Sequence, residues 1–207
     1  MLTMMPMAAC DGSNADPILP EQPGQPGNSD GGDEDDSTNP TNPIPGGNGR
    51  YLVLYCSRTG STERMAQQIQ QTLDCDILEV EPQTPYESDY NGMLNRAQEE
   101  LAAIRQGNYP AIKTSVEDFG NYDIVFVGYP IWYGSMATPM QTFLHNHASK
   151  LAGKRIALFA SSGSSGISAS VDEARTLCSG ATFTETLLLT SSTLSQMGNR
   201  IRTWLET

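Results

Sequence analysis

Residues 57–62 concentrate hydroxyl groups where a predicted strand gives way to a predicted helix. They follow the apolar run at 51–55 and consist of Ser57, Arg58, Thr59, Gly60, Ser61 and Thr62. The first turn of a helix exposes unpaired backbone N–H groups and the positive end of the helix dipole, which attract phosphate. Glycine lets the backbone approach a ligand closely. Because the lysine of a Walker loop is missing, this pattern alone favours a Ser/Thr-rich helix cap over a phosphate site.

Two adjacent aromatic residues follow the third predicted strand, between a proline and a glycine. The segment contains Pro130, Ile131, Trp132, Tyr133 and Gly134. No periodic apolar face accounts for these rings, so burial in the core explains them poorly. They predict stacking against a flat ligand, a patch that contacts a partner protein or a loop folded back on the domain, and this segment alone does not decide among them.

Small polar residues follow the fourth predicted strand. This segment consists of Ser161, Ser162, Gly163, Ser164, Ser165 and Gly166. Such a loop exposes backbone N–H and C=O groups that suit the edge of a polar ring. Gly/Ser loops are also common connectors, so this is the weakest of the three signals.

Alternating strand and helix patterns must position these segments. Strands are predicted at 51–55, 75–80, 124–127, 155–160 and 183–189, with helical apolar spacing between them and after the last. The apolar stripes of these helices, which include Leu94 and Leu194, are assigned to core packing. Five strands alternating with five helices predict an α/β domain with a parallel sheet covered on both faces. The carboxyl ends of its strands meet at one edge, where a ligand would bind.

Taken together, the three segments resemble the flavodoxin family. The phosphate loop of that family reads Ser or Thr, any residue, Thr, Gly, any residue, Thr, and residues 57–62 match it at every position. Residues 128–134 and 159–166 are similar to the two flavin-ring loops of a flavodoxin-like branch found in bacteria. The resemblance covers residues 50–207. It implies a doubly wound, five-stranded parallel sheet of order 2-1-3-4-5 that binds FMN.

The resemblance also implies a role for each segment. Residues 57–62 would hold the FMN phosphate, with Arg58 either adding charge compensation or facing solvent. Trp132 or Tyr133 would flank the isoalloxazine ring, beside Pro130 and Ile131. Gly134 would let a backbone carbonyl turn toward the flavin. The pyrimidine edge would meet the segment that contains Ser161, Ser162, Gly163, Ser164 and Gly166.

The first 49 residues differ in composition from the rest of the chain. They contain eight of the 24 acidic residues, eight of the 13 prolines and no Lys or Arg. Residues 11–49 are therefore interpreted as a disordered acidic linker. The remaining 16 acidic and 12 basic residues give a mildly acidic domain without a basic patch, which argues against nucleic-acid binding.

The start of the chain, MLTMMPMAAC, is uncharged and ends in small residues before Cys10. Residues 1–10 resemble the remnant of a bacterial lipoprotein signal, in which such a cysteine carries lipid. We expect an extracytoplasmic protein that contacts the membrane only through a lipid on Cys10. The alternative is a cytoplasmic protein whose Met-rich start has no function.

The preferred function is an FMN-binding electron-transfer protein. Its partner would be a redox protein or a small-molecule electron acceptor. The alternatives are an FMN-dependent NAD(P)H:quinone or nitro-compound reductase on the same fold, and a domain that has lost flavin and serves binding only. No metal site is expected, since His145 and His147 are two residues apart and lie on different faces of a helix. The crossover from Glu81 to Tyr122 would cover the flavin, shape a substrate pocket or simply be a longer connection.

Overall fold

The computed structural model describes residues 50–207, which form a sheet flanked by helices. Within this range there are seven strands: β1 (Tyr51–Tyr55), β2 (Asp76–Glu79), β3 (Ile124–Trp132), β4 (Ser135–Met136), β5 (Arg155–Ser162), β6 (Thr182–Phe183) and β7 (Leu187–Thr190). The same range contains five α-helices: α1 (Ser61–Leu73), α2 (Tyr90–Ile104), α3 (Thr138–His147), α4 (Ser168–Leu177) and α5 (Met197–Leu205). A 3₁₀ turn at Leu194–Gln196 leads into α5.

Local chemistry accounts for the helix starts. The side chain of Asp89 accepts a hydrogen bond of 2.7 Å from Gly92 N–H at the start of α2, as an N-cap residue does. Pro139 lies in the first turn of α3, where its fixed φ and missing N–H are tolerated. Gly60 precedes α1 with φ of +79°, a left-handed conformation that glycine adopts without strain.

The predicted α/β class and parallel sheet are confirmed, whereas the count of five strands is wrong. The strands run in the order β2-β1-β3-β5-β6, β7 also pairs with β5 in parallel, and β4 pairs with β3 in antiparallel fashion. The predicted strand at 183–189 is divided into β6 and β7. Between them, Trp204 of α5 donates from its indole Nε1 to the carbonyl oxygen of Glu185 at 3.0 Å. This acceptor would otherwise be available for a hydrogen bond between strands.

Two of the segments predicted as loops belong partly to strands. β3 continues through Pro130 to Trp132, and β5 continues to Ser162. Pro130 lies opposite Ser161 in the ladder between them. Because the carbonyl of Pro130 also accepts a hydrogen bond of 3.1 Å from Ala137 N–H, the aromatic segment is a hairpin attached to the sheet rather than an irregular loop.

Apolar side chains cover both faces of the sheet. Met140 and Phe143 of α3 pack in the core on one face together with Val125 and Val127 of β3. Phe126, between those two valines, packs on the other face with Met65 of α1. Side chains of a strand alternate between faces, so this arrangement places α1 and α5 opposite α3 and α4.

Gly128 in β3 is required by close packing. A Cβ atom at this position would lie 2.1 Å from the ring of Phe159 in the neighbouring strand. Phe159 is fully buried, so its ring has little space to move. The Phe159 ring of β5 therefore fills the space that a side chain at position 128 of β3 would need.

The cysteines and histidines of the described range are buried or packed against other side chains. Cys56, Cys75 and Cys178 are buried. His145 stacks on Tyr109 with ring centroids 3.8 Å apart, whereas His147 is buried.

Among residues 50–207, no group of three or more His, Cys, Asp or Glu side chains could hold a metal ion. None of the helices in this range is long and apolar enough to cross a membrane. Cys10 and the predicted linker lie outside the described residues.

Candidate functional site

The three segments singled out in the sequence surround one cavity at the carboxyl edge of the sheet. This loop cavity has a volume of about 400 Å³, within the usual range for a small-molecule site. The residues predicted from the sequence that line it are Ser57, Arg58, Thr59, Ser61, Thr62, Pro130, Ile131, Trp132, Tyr133, Ser161, Ser162 and Gly163. Four predicted residues, Gly60, Gly134, Ser164 and Gly166, do not line it.

The start of α1 is open toward a ligand. No side chain caps this helix within the described part of the chain. The N–H of Arg64 donates to the carbonyl of Gly60 at 3.0 Å, and the preceding N–H groups of the first turn are available for another acceptor. Thr59 is exposed beside them. The helix therefore presents N–H groups and a free hydroxyl to the loop cavity, which suits an anion such as phosphate.

Thr62 is buried, unlike Thr59. Its side-chain oxygen lies 2.8 Å from the hydroxyl oxygen of Ser161, and one of the two hydroxyls donates to the other. Thr62 is only 1% exposed. This buried contact joins the first turn of α1 to the end of β5, so Thr62 holds two walls of the cavity together.

The Arg58 guanidinium contacts a neighbouring loop. Its Nη2 atom lies 3.3 Å, 3.0 Å and 3.2 Å from the carbonyl oxygens of Glu87, Ser88 and Asp89, respectively. Arg58 is therefore not simply a side chain that faces solvent. It joins the loop before α2 to the loop before α1.

Ser162 contributes a polar atom whose hydrogen-bonding capacity is unused. Its side-chain oxygen is buried, and no residue of the described range forms a hydrogen bond with it. Leaving a buried hydroxyl unpaired costs about 1–3 kcal/mol. Because Ser162 also lines the loop cavity, a ligand with a polar edge would supply the missing partner. The residues present therefore fit a bound polar ring.

The aromatic segment forms a tight hairpin. Trp132 pairs with Ser135 across a two-residue turn, in which Tyr133 has φ of +51° and Gly134 has φ of +80°. Positive φ at both central residues is the property of a type I′ turn, which matches the twist of the flanking strands. The turn exposes the Tyr133 side chain, which is 52% accessible at the rim of the cavity.

The two aromatic residues have different surroundings. The Trp132 ring packs edge-on against Tyr86, with ring centroids 5.1 Å apart. The hydroxyl of Tyr133 lies 3.4 Å from the carbonyl oxygen of Leu94, a weak contact that leaves its ring accessible. Tyr133 is therefore the side chain that can adjust to a ligand, whereas Trp132 is held in place.

Tyr86 is fixed by a partly buried carboxylate. Its hydroxyl donates to Glu100 of α2, which also accepts a hydrogen bond from the Thr138 hydroxyl. Arg96 binds the other oxygen of Glu100 at 2.8 Å and lies 4.2 Å above the Tyr86 ring centroid. Burial, followed by the hydrogen bond to Glu100, raises the pKa of Tyr86. The phenol therefore stays protonated at neutral pH and acts as a donor.

Sequence reasoning missed several lining residues of the loop cavity. The sequence assigns Leu94 and Leu194 to core packing and Ser191 to the start of the last helix, and it gives no role to Met93; all four line the cavity. Tyr90, which had been noted only as part of the crossover, lines it as well. The available signal was position: each lies near the start of a helix or just after a strand, where the chain passes the carboxyl edge of the sheet.

Three solved structures with similar folds come from bacteria. A protein assigned as a flavoprotein from Bacteroides eggerthii DSM 20697 is 33% identical, with a TM-score of 0.64, covering 76% of this chain and 96% of that one. Another from Bacteroides uniformis ATCC 8492 is 27% identical, with a TM-score of 0.63 and coverage of 78% and 99%. A flavoprotein from Lactobacillus acidophilus NCFM, solved in complex with FMN, is 26% identical, with a TM-score of 0.58 and coverage of 72% and 97%.

The comparison with protein families agrees with these structures. No curated protein matches the chain. The family profile described as flavodoxin matches residues 50–207, which is the whole of the described sheet and helices. The match includes all three segments around the loop cavity, and the chain belongs to the flavodoxin family.

Proposed function

We propose that this chain is an FMN-binding electron-transfer protein. The observation that carries the proposal is the convergence of the uncapped start of α1, the aromatic hairpin and the unpaired Ser162 hydroxyl on one cavity. FMN has a phosphate, a flat ring and a polar ring edge, and these three features have matching surroundings there. The predicted cofactor also agrees with the family and with the FMN bound to the Lactobacillus relative.

Different parts of the site would hold different parts of FMN. The first-turn N–H groups of α1 and the Thr59 hydroxyl would bind the phosphate. Tyr133 would lie along one side of the ring, with Trp132 held behind it by Tyr86. Ser162 would donate to or accept from the polar ring edge. Bound FMN supplies the electron-transfer chemistry, and the protein determines its position and electrostatic environment.

The direct test is a titration of purified, flavin-free protein with FMN. Binding should quench flavin fluorescence at a stoichiometry of about one, as a single cavity of this size predicts. A folded protein that does not bind FMN would eliminate both the electron carrier and the reductase, and would leave a domain that serves binding alone.

A second measurement separates a carrier from a reductase. Stepwise anaerobic reduction, followed by absorbance, should show flavin passing through separate one-electron steps. Steady turnover of NAD(P)H with a quinone or a nitro compound, at a rate well above that of free FMN, would instead support the reductase.

We also propose that the protein is anchored outside the cytoplasm through a lipid on Cys10 and exchanges electrons with a redox protein or a small molecule there. The support is the small-residue sequence before Cys10 and the acidic, proline-rich segment after it. Metabolic labelling with an alkyne fatty acid should mark the wild-type protein but not a Cys10→Ala variant. Equal labelling of the two, or none, would exclude this anchor.

A further inference from the structure

A second cavity lies beside the loop cavity and shares Trp132 and Thr59 with the proposed flavin site. Its volume is about 490 Å³, which suits a small organic molecule. We call it the proline cavity, because Pro82, Pro85, Pro130 and Pro139 contribute to its wall. It shares Pro130, Trp132 and residues 57–59 with the loop cavity, so the two cavities are neighbours.

One part of this wall is apolar and rigid. Tyr86 and Trp132 contribute rings that are fixed against each other at 5.1 Å, and Tyr86 is held by its hydrogen bond to Glu100. The four prolines add apolar surface with little conformational freedom. Such a wall favours a flat, apolar or aromatic group, since rings stack on rings and prolines without losing hydrogen bonds.

Another part of the wall is acidic. Glu79 and Glu81 line the cavity and are separated by the buried Val80, so in an extended chain they point the same way. Burial and the neighbouring Glu81 and Glu63 raise the pKa of Glu79. The carboxylates of Glu63 and Glu81 therefore repel that of Glu79, and a bound cation would reduce this repulsion.

Glu79 has no cation of its own. Its carboxylate accepts a long hydrogen bond of 3.5 Å from the Tyr55 hydroxyl, and none of the ion pairs within residues 50–207 includes it. The two basic residues of the wall have partners other than Glu79. Lys113 lies 3.7 Å from Glu81, and Arg58 binds the carbonyl oxygens of the loop before α2. A half-buried carboxylate is thus available to a positively charged ligand.

We propose that the proline cavity binds a flat aromatic molecule that carries a positive charge, such as a protonated amine. The aromatic part lies against Tyr86, Trp132 and the prolines, and the cation pairs with Glu79. Because Trp132 separates the two cavities, such a ligand lies next to the flavin; this last step rests on the proposed function. Binding of the aromatic cation itself does not require FMN.

The test uses the full-length protein saturated with FMN and the same protein without flavin. The probe is 2-naphthylmethylamine, and its anionic counterpart, 2-naphthoate, is the control for charge. Calorimetry should show the amine binding to both forms of the protein, with 2-naphthoate bound at least about tenfold more weakly, the effect expected for a charge-assisted hydrogen bond. Amide NMR shifts in the wild type should be largest around Val80 and Tyr86.

Two matched variants test the assigned carboxylate. Glu79→Gln should weaken binding of the amine about tenfold and leave 2-naphthoate unchanged. Glu117→Gln changes an exposed carboxylate that lies 3.8 Å from Lys150 and is not part of the cavity wall, so it should have no effect. Equal binding of the two probes, no binding of the amine, NMR shifts elsewhere or displacement of the amine by FMN would each overturn the proposal. Failure of FMN to bind concerns the proposed function instead, since the amine is also measured without flavin.

Discussion

The guanidinium of Arg58 lies 3.0 Å from the carbonyl oxygen of Ser88, and this contact joins the loop before α1 to the loop before α2. The second loop ends at Asp89, whose carboxylate caps α2. The first turns of α2 then contribute Tyr90, Met93 and Leu94 to the loop cavity. Arg58 therefore affects the cavity through the position of a neighbouring loop.

Replacing Arg58 should loosen the loop before α2. In Arg58→Gln we expect faster hydrogen exchange at the amides of residues 87–92, by a factor that corresponds to about 1 kcal/mol of lost hydrogen bonding. Arg64→Gln is the control, because it removes the same charge from the exposed side of α1. Unchanged exchange in Arg58→Gln, or an equal change in Arg64→Gln, would contradict the assigned contact.

The Thr59 hydroxyl should distinguish flavins with and without phosphate. Thr59→Ala should weaken FMN binding about tenfold, since a charge-assisted hydrogen bond is lost, and should leave riboflavin binding unchanged. Both affinities are measured by fluorescence titration. Equal losses for the two ligands would mean that Thr59 does not contact the phosphate.

Thr62 should behave differently from Thr59. Thr62→Val removes the buried contact with Ser161 and leaves the Ser161 hydroxyl without that partner. We expect the flavin-free protein to lose about 1–3 kcal/mol of unfolding free energy, measured by urea denaturation. A stability equal to that of the wild type would show that the Thr62–Ser161 contact does not form.

Removing the Ser162 hydroxyl should weaken FMN binding without destabilising the flavin-free protein. In Ser162→Ala the flavin-free protein should keep or slightly gain stability, because an unpaired buried hydroxyl disappears, while FMN should bind more weakly. The matched control is Thr142→Val, since the Thr142 hydroxyl is also buried and unpaired among the described residues but belongs to α3, away from the cavity wall. It should leave FMN affinity unchanged. A loss of affinity in both variants, or in neither, would contradict a ligand contact at Ser162.

His147 should make stability depend on pH. Burial lowers the pKa of His147 below its ordinary value of 6.5, as does Lys150, whereas the Phe143 carbonyl and Glu117 oppose the shift. The neutral ring accepts from Val116 N–H at 3.2 Å, and its Nδ1 atom lies 2.8 Å from the Phe143 carbonyl oxygen. Because the unfolded chain takes up the proton more readily, this contribution is complete above the unfolded pKa and is lost as pH falls below it.

The measurement compares wild type with His147→Gln, which cannot titrate. The difference in unfolding free energy should be constant above about pH 7.5 and should shrink by at most about 1.4 kcal/mol per pH unit below about pH 6.5. Other titrating groups cancel in this difference. A difference that grows as pH falls would reverse the assigned direction of the pKa shift.

The position of the site was predictable because it depends on topology. Ser57, Trp132 and Ser161 each lie at the carboxyl end of a predicted parallel strand, and parallel strands bring these ends to one edge. The partner of Arg58 was not predictable, because Ser88 is thirty residues away and belongs to a connection without periodic spacing. The assignment of Leu94 and Leu194 to core packing was incomplete for a related reason. Leu194 does pack against the core, but both residues also line the cavity, and apolar spacing does not show whether the inward face of a helix also meets a cavity.

The strand boundaries had a different limitation. Pro130 reads as the end of a strand, since proline cannot donate a hydrogen bond to a ladder. The chain nevertheless continues in β3 opposite Ser161, because the carbonyl of Pro130 accepts a hydrogen bond from Ala137 N–H and proline already has an extended φ. A sequence shows which residues lack a backbone N–H donor. It does not show whether the neighbouring strand needs a hydrogen bond from that position.

The ladder that places Pro130 opposite Ser161 has a thermodynamic consequence for whatever occupies the loop cavity. Ordering a flexible side chain or loop when a ligand binds costs about 0.5–1.5 kcal/mol for each immobilised side chain. Here Trp132 and Ser162 inherit their positions from two paired central strands, so that entropy is already lost when the domain folds. The cavity is preorganised, and more of each ligand contact remains as net affinity.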